Sequence, residues 1–377
     1  MMNVSASSAP LPTPRWVHRF ACVLAGLTFV LIVFGGTVKS LEAGLSVPDW
    51  PLSYGQPGAA IAGGLLLATL ALALGWLFTK KKLFAILAIL AGSALAGTYY
   101  LFGPPGWYTI QSVRAEHSHR LLAGTVGFLT AILAACVWET DRRRGVRRLA
   151  LAALLAVIVQ AVLGGLTVRY GLPPWVSAAH GALAQAFFAM VCALAALSSP
   201  NWFGAEPLPQ EPAQAGRKPL YKLGGWMVGA IYLQIMLGTA VRHSPYDPEA
   251  SGNALFWWHF AAHAAGFLFV AHTVAKAVVQ TLKRHGERPR LTRPALSVAG
   301  LLVVQVGLGV GILVFRLLAP AHYEANAPKE IVATAHVAVG GLALVGALFF
   351  TLRAWRLLPP DAARAGAAVP LAARSAS

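Results

Sequence analysis

This chain is short of charge and short of cysteine, and both shortages limit what it can be. Asp, Glu, Lys and Arg together make up 11% of 377 residues, while apolar residues reach 57%. A water-soluble domain needs a more polar surface, and the apolar runs are longer than a soluble core uses. The chain therefore reads as an all-α polytopic membrane protein, because such runs cross hydrocarbon as helices. Its three cysteines, Cys22, Cys136 and Cys192, fall far apart inside predicted spans and show no CxxC spacing. They read as small core residues, and a thiol-disulfide relay on the outer face is not expected. No cleavable signal peptide is expected either, since the first apolar run is long and lacks a small-residue cleavage site.

Acids are scarcer still, 13 against 30 Lys and Arg, which leaves a net charge of +17. Such an excess could serve a polyanion, so its distribution matters. Ten segments have spanning length: 20–40, 59–79, 83–102, 119–138, 149–168, 176–198, 223–242, 257–282, 294–317 and 331–352. With the N-terminus cytoplasmic, 22 basic residues fall on that side, among them Lys80 to Lys82, Arg142 to Arg148 and Lys283 to Arg293. The other side has seven, and Lys276 lies within a span. This is the positive-inside bias: it places both termini in the cytoplasm of an inner (plasma) membrane protein and makes the lipid bilayer, not nucleic acid, the partner of the charge.

The order of segments contains a repeat. Gly36-Thr37-Val38-Lys39-Ser40 resembles Gly238-Thr239-Ala240-Val241-Arg242, and Gln160 to Val168 resembles Gln305 to Val314. Two related four-helix halves account for eight spans, and the hairpin 58–102 is an inserted pair that leaves the downstream topology unchanged. The expected organisation is a cytoplasmic N-terminus (1–19), a first half (20–200), a Pro- and Gln-rich linker (201–222), a second half (223–352) and a disordered cytoplasmic tail (353–377).

Histidine carries the chemical signal. Of eleven, His18, His285, His243 and His322 fall in loops or among basic residues and read as solvated. His119, His180 and His336 each lie about two turns or less inside a span that enters from the outer face, so they reach a similar depth. His259 and His263 share a face at i, i+4 near the same level, and either completes the set. His272 sits about two turns deeper and does not match. A lone membrane histidine is ordinarily a helix-to-helix hydrogen-bond partner. Two imidazoles at equal height in each half of a repeat, with small residues nearby, instead suit the iron of a haem.

His119 belongs to the stretch Glu116-His117-Ser118-His119-Arg120, whose ionisable groups are costly to place at a membrane boundary. The bland reading pairs Glu116 with Arg114 or Arg120. The functional reading makes Glu116 a proton acceptor, or a stabiliser of developing positive charge, one helical turn from an iron ligand. The second half has Phe260, Ala261 and Ala262 before His263 and no such acid, so the halves are chemically unequal. A further dense stretch, Gly44 to Gln56, carries Pro48, Asp49, Trp50, Pro51 and Tyr54 and reads as a lid over an outer-facing pocket, with Asp49 capping a turn or touching substrate.

Together, Gly-Leu-Ser-Val-Pro-Asp-Trp-Pro (44–51), Glu-His-Ser-His-Arg (116–120), Leu-Gly-Gly-Leu-Thr-Val (163–168) before Leu-Pro-Pro and His180, and the late His336 resemble the haem A synthase family over about 20–350, apart from the hairpin. The resemblance implies an eight-helix core and oxidation of a methyl group of haem O, through an alcohol and a hydrated aldehyde, to the formyl group of haem A. It implies a substrate haem between His119 and His180, Glu116 important for activity, and a haem b held in the second half by His336 with His263 or His259. Implied partners are a haem O synthase and a terminal oxidase subunit. The chain departs from the family pattern in the residue after His263, which is Ala264 instead of Arg, in its lack of an outer-loop cysteine pair, and in its hairpin. A non-catalytic bis-histidine cytochrome b is the alternative reading, and a transporter is disfavoured because mid-span acids are missing.

Overall fold

The computed structural model describes residues 13–50, 109–208, 219–244, 253–318 and 327–358. Eight helices among these are long and apolar enough to cross a membrane. They are α1 (Arg15–Ser40), α2 (Gln111–Thr140), α3 (Arg144–Arg169), α4 (Pro174–Leu197), α6 (Leu220–His243), α7 (Ala254–His285), α8 (Pro289–Leu318) and α9 (Ala327–Leu357). The short α5 (Pro200–Phe203) is a single turn, capped by Ser199, whose Oγ accepts from the Trp202 N–H at 3.1 Å. The inserted hairpin 58–102 lies outside the described residues. Most of the helices run beyond their expected spans: α2 starts at Gln111, and α9 runs on to Leu357, where Trp355 stacks on Trp202 and Arg356 donates to the Trp202 carbonyl at 3.0 Å.

Helices α1 to α4 close into one bundle, each packed on the next and α1 on α4, and α6 to α9 do the same. Across the middle, α1 meets α9, α4 meets α6, and α4 meets α9. Exchanging α1 with α6 and α4 with α9 leaves that pattern unchanged, which is the signature of a two-fold related pair of halves. Each half has its own core, built on Leu24, Leu129, Leu133 and Phe187 in the first and on Met227, Leu291, Leu344 and Phe350 in the second. Ile32, Phe188, Cys192 and Val345 fill the seam between them.

The two ends of the molecule are pinned differently. At the end where α1 begins, Asp141 is 1% exposed. It accepts from Thr13 Oγ1 at 2.7 Å and is ion-paired with Arg143 at 2.5 Å, and Arg143 in turn donates to the Leu197 carbonyl at 2.9 Å. One carboxylate thus ties together the ends of all four first-half helices. Burial alone would raise the Asp141 carboxyl pKa, but the hydrogen bonds from Arg143 and Thr13 hold it below the ordinary carboxylate range. At the opposite end, Arg242 of α6 reaches across the seam and donates to the Gly36 carbonyl and Ser40 Oγ of α1, both at 3.0 Å.

Exposed aromatics mark both ends: Trp16, Trp138, Trp226 and Trp355 on one side, Tyr170, Trp175, Trp257 and Trp258 on the other. Two such belts are what a membrane-embedded bundle presents at its interfaces. Three readings are corrected here. Cys22 is exposed instead of core, with its sulfur 3.8 Å from the His18 ring. His285 is buried, and His18 Nδ1 lies 2.9 Å from the Ala195 carbonyl, so neither is merely solvated. Long helices extend past the apolar runs and carry these histidines into contact with neighbours.

Candidate functional site

Four histidines are each seated on a glycine of the preceding helix. A Cβ added at Gly35 of α1 would stand 3.1 Å from His119 Nε2 of α2, and one at Gly164 of α3 would stand 3.2 Å from His180 Cε1 of α4. In the second half, Gly238 of α6 would meet His263 Cε1 of α7 at 3.1 Å, and Gly309 of α8 would meet His336 Cε1 of α9 at 3.2 Å. Any side chain at these glycines would press on the imidazole, so their small size sets the ring position. His119 and His180 lie within electrostatic reach of one another, as do His263 and His336. Each half therefore brings one pair of imidazoles together near the same end of its bundle.

The glycine rule separates two candidates that helical spacing leaves equal. His263 rests on Gly238, whereas His259 Nδ1 is 2.5 Å from Ser244 Oγ at the end of α6. His272 is exposed on the outer surface of α7. The contacts also correct the register of the repeat by one residue. Gly35, not Gly36, corresponds to Gly238, and Lys39 then corresponds to Arg242.

The described part of the lid, up to Trp50, folds back over the first half, and its remainder, 51–56, lies outside the described residues. Ala43 and Val47 are fully buried, Gly44 packs against the Leu172 side chain, and the Trp50 ring lies flat on Gly165. Leu172 holds a φ of 60° in the turn between α3 and α4, a strained conformation for a branched residue that presents its side chain to the lid. Glu116 is the anchor. Its Oε2 accepts from the Val47 N–H at 2.7 Å, and its Oε1 is ion-paired with Arg120 at 2.5 Å. Arg120 also donates to the Val47 carbonyl at 2.5 Å and to the Asp49 carbonyl. Asp49 thus meets Arg120 through its backbone, and the pairing of Glu116 with Arg120 is present. His117 is buried beside Glu116. Sequence reading did not foresee Arg120 as the residue that holds the lid, although its i, i+4 spacing from Glu116 was visible.

The donor set fits haem better than a bare ion. Among the described residues no group of three or more His, Cys, Asp or Glu gathers as an ion site, while two imidazoles per half suffice for an iron whose other bonds come from a macrocycle. His180 Nδ1 and His336 Nδ1 are buried without a formed hydrogen bond, which leaves acceptor-seeking ring edges beside the glycine helices. The residues therefore suit one haem between each pair, with the imidazoles neutral as metal ligation requires.

Comparison with known proteins points the same way. A family described as cytochrome oxidase assembly protein (COX15-CtaA) matches residues 110–246, from the start of α2 into the loop after α6. A heme A synthase of Rhizorhabdus wittichii is 25% identical, covering 93% of this chain and 97% of its own length. One from Beijerinckia indica is 27% identical over 77% of this chain and 82% of its own. One from Brucella ovis is 25% identical over 81% and 84%.

Proposed function

We propose that the chain is a member of the haem A synthase family, which its similarity to the cytochrome oxidase assembly family and to heme A synthases supports, and that it is a multi-pass membrane oxidoreductase that oxidises the methyl group of haem O to the formyl group of haem A, supplying terminal oxidase assembly. The observation that supports this most is the pairing of glycine-seated histidines in both halves, with the segment 43–50 folded over the first. His119 and His180 bracket the iron of haem O, the substrate. His263, in preference to His259, and His336 would hold a haem b, which would supply a route for the electrons that the oxidation releases.

The protein's own groups divide the remaining work. Gly35 and Gly164 leave room for the rings that grip the substrate. Val47 and Trp50 cover the first-half site and exclude water from it. Glu116, one turn before His119 on the same helical face, takes up a proton released at the methyl group, and Arg120 holds that carboxylate and the lid backbone in one geometry. With the oxygen atom taken from water, the net change consumes one water and releases four electrons and four protons, so an external electron acceptor must take up the electrons. Both termini lie in the cytoplasm, with the histidine-bearing end facing out, because the opposite end carries most of the Arg and Lys. A haem O synthase and a terminal oxidase subunit are the natural donor and receiver of the haem.

Co-expression with a haem O synthase, followed by extraction and mass analysis of the haems, tests the reading. Haem A is expected. A folded, haem-loaded protein that yields only haem O and haem b would leave the chain a cytochrome b without this activity.

A further inference from the structure

Three of the four histidine seats share a second residue that the fourth lacks. Gln160, Gln234 and Gln305 each stand four residues before the glycine that seats a histidine, hence one turn away on the same helical face. Gln160 Nε2 donates to the His180 carbonyl at 2.9 Å, and Gln234 Nε2 donates to the His263 carbonyl at 2.9 Å and lies 3.1 Å from its Nδ1. The Gln305 amide reaches the same helical turn of α9, with Nε2 3.3 Å from where a Cβ of Gly340 would stand. In all three the carboxamide oxygen is buried without a formed hydrogen bond. Each ring also turns its Cε1 and Nδ1 edge toward the glycine helix, so that Nε2 is the more distant ring nitrogen.

His119 differs on both counts. The residue four before Gly35 is Leu31, which has no polar group to offer. The ring meets Gly35 with Nε2 at 3.1 Å and Cδ2 at 3.6 Å, the reverse edge from the other three. Iron-bound imidazoles are held in orientation, and made better donors, by an acceptor at the second ring nitrogen, and loss of such a partner typically costs 10- to 100-fold in affinity. An imidazole without one turns more freely and leaves the metal more often.

We propose that Gln160, Gln234 and Gln305 are positioning residues that orient His180, His263 and His336, and that His119, opposite Leu31, is the exchangeable iron ligand of the four. This rests on the haem reading above. It makes the His119 side of the substrate haem the place where an outside ligand reaches iron, while the second-half haem stays closed to it. The asymmetry is built into α1 and needs no movement of the second half.

Carbon monoxide is the probe, because it binds a bis-histidine ferrous haem only after one histidine has left. Protein co-expressed with a haem O synthase and reduced with dithionite is expected to bind CO at one of its two haems. Leu31→Gln, which supplies the missing amide, is expected to slow that binding about 10-fold or more. Gln305→Leu is expected to admit CO to the second haem and to raise its midpoint potential, since a weaker imidazole donor favours the reduced iron. Equal CO binding by both haems of the unsubstituted protein overturns the proposal without any variant. So do an unchanged CO rate in Leu31→Gln, or a second haem in Gln305→Leu that still refuses CO at an unchanged potential. Isolation without any haem absorbance would instead remove the haem reading itself.

Discussion

The two halves share a backbone plan and divide over three positions. Where the first half has Glu116 and Arg120 on its histidine helix, the second has Phe260 and Ala264. Where the second half has Gln234 before its glycine, the first has Leu31. The first pair of differences adds a lid anchor, with Glu116 and Arg120 binding the backbone of Val47 and Asp49. The third difference removes a glutamine support from His119. The first half thus has a covering segment and one glutamine seat, while the second has the glutamine at both histidine seats. On the proposed function, a duplicated haem-binding bundle would become an enzyme by changing the surroundings of one site and leaving the other as a holder.

The sharpest way to break this comparison is to remove one iron ligand from each half. His180→Ala and His336→Ala should each lose the haem of its own half, so that haem per protein, read by pyridine haemochrome assay, falls by about half. His259→Ala should keep both haems. If His259→Ala loses a haem and His263→Ala does not, the glycine seat has been misread.

Next in size is the staple at the opposite end, which among the described residues only the first half has in this form. Asp141→Ala should destabilise the first half by about 3 kcal/mol or more, because it strands the Arg143 guanidinium among buried helix ends. The effect should depend on acid. The Asp141 carboxyl is held below its ordinary value, so its contribution is complete above about pH 4 and is lost as pH falls through the lowered value. Detergent-solubilised wild-type and Asp141→Asn proteins should therefore converge in thermal stability on acidification and differ most near neutrality.

A smaller effect is expected at the seats. Gly164→Ala places a methyl group 3.2 Å from the His180 ring, and Gly309→Ala does the same to His336. Each should cost about 1–3 kcal/mol in haem retention. The smallest belongs to Cys22, exposed and remote from either site. Alkylating it should leave haem content and spectrum unchanged.

Much of this was legible in the sequence, and the reasons for the rest are physical. Helix class, and eight of the ten expected spans, followed from apolar run length, and the placing of His119, His180 and His336 near one end of the bundles followed from the rise per residue. The choice of His263 over His259 did not, because both lie on one helical face and only a contact with Gly238 on another helix separates them. The lid anchor was hidden for the same reason: the Val47 N–H and Glu116 are 69 residues apart in sequence, with the inserted hairpin between them. Similarity between Gly-rich ends put the repeat one residue out of register, since Gly35 and Gly36 are chemically alike and only one of them faces an imidazole. The recurring Gln-x-x-x-Gly spacing was visible throughout, but it gains meaning only when the histidine opposite each glycine is known.

The central claim is that the lidded half does the chemistry and that Glu116 serves it. Haems extracted from Glu116→Gln protein, co-expressed with a haem O synthase beside the wild type, test this most directly. The account predicts haem A from the wild type and, from the variant, retained haem O and haem b with haem A reduced at least 100-fold. Undiminished haem A from the Glu116→Gln protein would contradict it.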